Sequence, residues 1–127
     1  MSSTTHLLVG TTKGAFILTA DAERAEWDVS GPHCGGWPIN HMTGDPATGT
    51  IWAGGGGDWH GAGVWRSADG GKTWTLCKLS AGQMDEWAAK DADFAAMIGW
   101  TPDEPPLGDT LHSVWSLHVA HGTLYAG

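Results

Sequence analysis

The stretch Ser67-Ala68-Asp69-Gly70-Gly71-Lys72-Thr73-Trp74 decides how this 127-residue chain is read. Its paired glycines, Gly70 and Gly71, supply the positive φ that a tight connection between two antiparallel strands requires. Ser67 and Asp69 carry short polar side chains that can bond back to main-chain N–H groups of the same turn. Thr73 adds a hydroxyl, and Trp74 opens the following strand with a large apolar plate. The eight residues predict a self-capping hairpin turn, a folding device and not a centre of chemistry.

Outward from this turn the same order of elements recurs. Thr50-Ile51-Trp52-Ala53-Gly54, a loop, and Gly63-Val64-Trp65-Arg66-Ser67 lead into it, and Thr75-Leu76-Cys77-Lys78 leaves it. Earlier, His6-Leu7-Leu8-Val9-Gly10 and Gly14-Ala15-Phe16-Ile17-Leu18 precede a looser turn at Asp21 and a strand opened by Trp27. A third unit starts at Ser113-Val114-Trp115-Ser116-Leu117-His118-Val119 and continues in Thr123-Leu124-Tyr125-Ala126-Gly127. Self-similarity at this period, with a few short strands per unit, points to radial repetition of the β-propeller kind. Composition agrees: twenty Gly and nine Trp, against one Tyr and two Phe, suit many short strands joined by turns and packed through indole rings.

The pattern Ser-x-Asp-x-Gly-x-Thr-Trp at Ser67 to Trp74 is that of an Asp-box, and the chain resembles the Asp-box, or BNR, repeat proteins of the sialidase-like propeller superfamily. The run Gly31-Pro32-His33-Cys34-Gly35-Gly36-Trp37-Pro38-Ile39-Asn40-His41, with Asp45-Pro46-Ala47-Thr48-Gly49-Thr50, is similar to a bacterial subgroup labelled glycosyl hydrolase or exo-sialidase-like. The resemblance covers nearly the whole chain outside residues 80–110. It implies an all-β fold of four-stranded antiparallel propeller blades: residues 6–30 as a partial first blade, 37–79 as the second and 111–127 as the start of the third. On this expectation about two and a half blades are present, as the N-terminal part of one longer propeller domain. Open blade edges would then favour self-association.

Residues 80–110 interrupt the repeats. Ser80-Ala81-Gly82-Gln83 reads as a capping box, Met84, Trp87, Phe94 and Ile98 fall on one helical stripe, and Gly99 is placed to end the helix. A single amphipathic helix is expected, followed by the stiff Thr101-Pro102-Asp103-Glu104-Pro105-Pro106 connection. Seven of the fourteen acids lie here: Asp85, Glu86, Asp91, Asp93, Asp103, Glu104 and Asp109. They read as a solvated acidic face or, alternatively, as part of a lid over a binding face.

The net charge is −8, and no Lys/Arg cluster occurs. That balance disfavours nucleic acid, whose binding rests on neutralising phosphates. Met1 to His6 carries no basic n-region and Leu7-Leu8-Val9 is too short for a signal core or a membrane span, so no membrane partner and a cytoplasmic location are expected. Cys34 and Cys77 lack a Cys-x-x-Cys spacing; one disulfide is conceivable, and two free thiols fit a chain without a secretion signal.

In a propeller the Asp-box turn lies at one end of the strands, whereas the second-to-third turns and the blade crossings lie at the other. That end gathers His33, Trp37, Asp58, Trp59, His60 and His112, with Asn40 and His41 at the start of an inner strand. Aromatic plates beside short polar acceptors and imidazoles suit a carbohydrate or another small polar ligand. Packing of the indoles between blades is the alternative use of Trp37 and Trp59. Glycoside hydrolysis needs two acids about 5 to 9.5 Å apart. Asp58 is one candidate, with Asp109 or Glu86 as its mate and His60 beside it. True sialidases use an arginine cluster and a tyrosine nucleophile assisted by a glutamate. Here the arginines are Arg24 and Arg66 and the tyrosine is Tyr125, so sialidase activity is not assigned. His33, His41, Asp58, His60 and His112 have no spacing diagnostic of zinc, and neither metal nor cofactor is expected. The expected function is glycan or small-polar-ligand binding, with catalysis left open; the alternative is a non-catalytic scaffold whose acidic helix docks protein partners.

Overall fold

The computed structural model describes residues 4–127. Its strands form three antiparallel sheets, each paired in chain order. The first holds β1 (Thr5–Thr11), β2 (Gly14–Ala20) and β3 (Trp27–His33). In the second are β4 (Ile39–Asp45), β5 (Thr50–Gly57), β6 (Gly61–Ser67) and β7 (Thr75–Ser80). After α1 (Gln83–Lys90) and α2 (Ala92–Ile98), β8 (Leu117–Ala120) pairs with β9 (Thr123–Ala126). None of these helices is long and apolar enough to cross a membrane.

Local turn chemistry explains the pairing. At His121 and Gly122, φ values of 51° and 76° give the two left-handed residues that a tight two-residue hairpin needs. Asp21 at the end of β2 does in a looser form what Asp69 does after β6: its Oδ1 accepts from the N–H groups of Glu23 (3.0 Å) and Arg24 (3.1 Å). An aspartate that bonds main-chain donors two and three residues on fixes a turn without tertiary help.

Two apolar clusters hold the sheets together. Ala15 and Ile17 of β2 meet Cys34, Trp37, Ile39, Met42, Ile51 and Ala53, so the first cluster joins the first sheet to the second through the β3–β4 crossing. Ala62 and Val64 of β6 pack with Val114 and Leu117 to join the second sheet to the third. The same close approach recurs at both junctions. A Cβ on Gly10 would come 2.6 Å from the Ile39 carbonyl, and one on Gly54 would come 2.8 Å from Val114 Cγ1. The repeat seen in the sequence is therefore also a repeat of contacts, with a glycine of one sheet receiving a branched residue that precedes or opens the next.

The interruption departs from expectation in three respects. One continuous helix does not form; the chain breaks at Asp91 (φ −131°, ψ 104°), whose Oδ1 accepts from the N–H groups of Asp93 and Phe94 and caps α2. Ser80 does not begin a helix. It is the fully buried end of β7, and its hydroxyl donates to the Gly108 carbonyl and accepts from the Leu111 N–H. Gly82 is the N-cap instead, and its N–H donates to Asp85 Oδ2 at 2.8 Å. Finally, Trp87 of the apolar stripe is 61 % exposed, while Ala88 supplies the buried position of α1. Gly99 ends α2 in the left-handed conformation, as its position predicts. The third unit also pairs later than the sequence suggests: β8 begins at Leu117, and Trp115 and Ser116 donate their N–H groups to the Gly127 carbonyl just before it.

Candidate functional site

At one end of β6 the turn at Ser67 to Trp74 is closed upon itself. Ser67 is fully buried; its hydroxyl donates to Asp69 Oδ1 (2.8 Å) and accepts from the Gly71 N–H (2.8 Å). Asp69 Oδ1 also accepts from the N–H groups of Lys72 (3.0 Å) and Thr73 (2.9 Å), and its Oδ2 accepts from the Thr73 hydroxyl. Led by the Thr73 hydroxyl, these donors hold the Asp69 carboxyl far below the usual carboxylate range. Gly70 and Gly71 take φ values of 75° and 96°, and the Trp74 indole N–H donates to the Gly71 carbonyl at 3.0 Å.

The other end of β6 is built differently. β5 and β6 stay paired to Gly57↔Gly61, which carries the connecting Asp58, Trp59 and His60 about 20 Å from the Ser67 end at ~3.3 Å per residue. Main-chain atoms then anchor this turn to α1. The Gln83 N–H donates to the Asp58 carbonyl (2.8 Å) and the Met84 N–H to the Trp59 carbonyl (2.9 Å), satisfying donors that a helix N-terminus leaves open. Asp85 steadies the same junction. It pairs with Lys78 Nζ at 2.7 Å and accepts from the Trp100 indole at 3.1 Å. Burial works to raise the Asp85 carboxyl, but Lys78, the Gly82 N–H and Trp100 outweigh it and hold it below its ordinary value.

Between this turn and the helical insertion lies a cleft of about 290 Å³ whose lining includes Asp58, Gln83, Glu86, Asp109, Thr110 and His112. Asp58 Oδ1 lies 2.9 Å from His112 Nδ1, with both side chains exposed. A carboxylate so placed accepts from Nδ1–H and orients the imidazole. The cleft thus presents carboxylate acceptors, an amide, a hydroxyl and one oriented imidazole. Trp59 continues from Asp58 into an edge-to-face trio with Trp87 and Phe94, at centroid separations of 6.1 to 6.3 Å.

The remaining expected ligand residues serve contacts within the fold. His33 Nε2 lies 2.9 Å from Ser30 Oγ, and its ring sits 5.7 Å from that of Trp74. Trp37 is 4 % exposed, held between the His60 ring at 5.0 Å and the edge of Trp65 at 5.7 Å. Asn40 Nδ2 donates to Ser113 Oγ and the Val114 carbonyl, both at 2.8 Å. His41 Nδ1 accepts from the Leu117 N–H at 2.7 Å, so this ring links β4 to β8. His60 is half-buried, and burial, with Lys78 nearby, lowers its pKa from the ordinary 6.5. The structure therefore brings Asp58 and His112 together, turns Trp59 toward Trp87 and Phe94, and leaves His33, Trp37, Asn40, His41 and His60 in contacts within the fold.

Among the described residues, no group of three or more His, Cys, Asp or Glu side chains is arranged to hold a metal ion. Cys34 and Cys77 are both free, and burial pushes the Cys34 thiol up to about 12, which disarms it as a nucleophile. Sequence reasoning did not single out Gln83 and Thr110. The helical spacing of Gln83 and Glu86 was the available signal for the first, since positions i and i+3 share a side. Neither known protein-family models nor curated protein sequences match this chain.

Proposed function

We propose that this chain is an Asp-box β-propeller protein of the sialidase-like superfamily that binds a glycan or another small polar ligand in the cleft between the β5–β6 turn and α1. The observation that carries the reading is that Asp58, Glu86 and Asp109, acids far apart in sequence, line one cleft with His112. Sugar hydroxyls need several acceptors and donors converging from different directions, and the carboxylates, amide, hydroxyl and imidazole of this cleft supply them. The Asp-box motif and the recurring glycine contacts at successive sheets support the propeller part of the proposal. The activity assigned is binding, with no hydrolytic step.

Titrating the protein with a panel of neutral mono- and disaccharides, followed by calorimetry and tryptophan fluorescence, tests this reading. Binding that weakens about tenfold in Asp58→Asn and in Glu86→Gln is expected, the scale of one lost hydrogen bond to a charged group. A folded sample that gives no heat and no fluorescence change across the panel overturns it.

A further inference from the structure

The helical insertion holds an aromatic surface outside the cleft lining, with Glu86 at the border of the two. Trp59, Trp87 and Phe94 meet edge to face with interplanar angles of 64° to 67°. Within this trio Trp87 remains 61 % exposed, and Met97, one turn beyond Phe94 on α2, is 75 % exposed. Large apolar side chains clustered in solvent mark interaction surfaces more often than single exposed ones do. The charge around them is one-sided. Residues 80–110 hold seven acids, and their one basic side chain is Lys90. Glu86 precedes Trp87 and Asp93 precedes Phe94, and both acids are exposed. Lys78 on β7 is held by Asp85 at 2.7 Å.

Exposed indole faces with carboxylates around them attract a cation twice, through the ring quadrupole and through the net negative field. A guanidinium suits both, because it stacks flat on an aromatic face while its N–H groups reach carboxylates at the rim. Trp59, Trp87 and Phe94 are in ring contact and the exposed Met97 follows Phe94 by three helical positions, so the apolar side chains involve both helices, a span served by a chain segment and not by a single small cation. We propose that this face docks a basic segment of a partner polypeptide, with an arginine side chain laid over Trp87 and flanking basic residues paired to Glu86 and Asp93. The proposal goes beyond polar-ligand binding in the cleft and is centred on Trp87, which does not line it.

The test uses a synthetic heptapeptide, acetyl-Arg-Leu-Arg-Gly-Arg-Leu-Arg-amide, and its counterpart with every arginine replaced by citrulline, which keeps the shape and removes the charge. Calorimetry is run on the wild-type protein, on Trp87→Ala, on Glu86→Gln and on Trp115→Ala, whose indole is 64 % exposed elsewhere. The expected result is saturable binding of the arginine peptide, at least tenfold weaker for the citrulline peptide and about tenfold weaker in Trp87→Ala. Glu86→Gln should weaken it several-fold, and Trp115→Ala should match wild type. Absence of binding, equal affinity for the citrulline peptide, or equal loss in Trp87→Ala and Trp115→Ala overturns the proposal, the last because it would reduce the attraction to the overall charge. Because Trp87 is exposed, folding of its variant is expected to survive; a circular dichroism spectrum unlike wild type would refute its placement on a free surface and with it the proposal.

Discussion

Replacing Trp37 by alanine measures whether the indole nearest the β3–β4 crossing belongs to the core or to a binding face. The side chain is 4 % exposed and belongs to the cluster that joins the first two sheets. A tryptophan buries about 150 to 250 Å² on folding, and at ~25 cal/mol per Å² that corresponds to roughly 5 kcal/mol. The retained Cβ and partial collapse of the site lower the cost of truncation to about 4 kcal/mol, within the range seen for large aromatic residues cut to alanine. Its neighbours gain nothing in return: the His60 ring loses the surface it rests on, and the edge-to-face contact with Trp65 disappears.

Urea unfolding followed by far-ultraviolet circular dichroism reads this directly. With a slope of roughly 1.5 kcal/mol per molar urea, the Trp37→Ala midpoint should fall by about 2.5 M with the slope unchanged. Trp37→Phe keeps a ring in the cluster and should cost about half as much. A midpoint for Trp37→Ala within about 0.5 M of wild type, roughly 1 kcal/mol or less, would refute the core assignment. That result would return Trp37 to the binding surface, especially if the variant also lost sugar affinity.

Other consequences can be checked in the same way. Asp85→Ala leaves the Lys78 ammonium, the Gly82 N–H and the Trp100 indole without their shared acceptor, and should cost about 2 to 4 kcal/mol in the same urea assay. Gly55→Ala would put a Cβ 1.9 Å from the Pro38 carbonyl oxygen, where main chain meets main chain, and should abolish folding; Gly57→Ala meets nothing within 4 Å and should shift stability by no more than about 0.5 kcal/mol. His60 has a folded pKa below its ordinary 6.5, so the unfolded chain takes up its proton first, and stability should fall as pH drops below about 6.5. Asp69 and Asp85 are also depressed in the folded state, and their contribution should be lost below their ordinary 3.8. A His60→Phe variant that retains the full slope near pH 6 would contradict the first of these windows.

Features decided within a few residues were legible in the sequence, and those decided across the chain were not. The Ser67 to Trp74 turn closes through bonds spanning two to four residues, so its residue types reveal it. The break at Asp91 was missed because the stripe of Met84, Trp87, Phe94 and Ile98 fits a continuous helix, whereas the Asp91 carboxylate offers the Asp93 and Phe94 N–H groups a competing acceptor. Ser80 was misread for the opposite reason. Its partners, Gly108 and Leu111, lie 28 and 31 residues away, and no local pattern records them. The tryptophans show the same limit: Trp37 and Trp59 both read as plates at one rim, but only packing distinguishes exposures of 4 % and 39 %.

The two ends of β6 show why the strongest motif in the sequence is not where a ligand would be held. At the Ser67 end, side chains do the structural bonding: both oxygens of Asp69 are occupied by the Ser67 and Thr73 hydroxyls and two main-chain N–H groups. A carboxylate so engaged has little left to offer a sugar hydroxyl. At the Gly61 end, main-chain carbonyls do that bonding, since Asp58 and Trp59 receive the first donors of α1 through their backbone oxygens. Their side chains are thereby released from the fold, one to the His112 pair and the cleft, the other to the aromatic trio. The division predicts opposite outcomes for two similar substitutions: Asp69→Asn should lower stability without a specific effect on ligand affinity, and Asp58→Asn should lower affinity while leaving the urea midpoint nearly unchanged. The reverse pattern would place the functional surface at the Ser67 end.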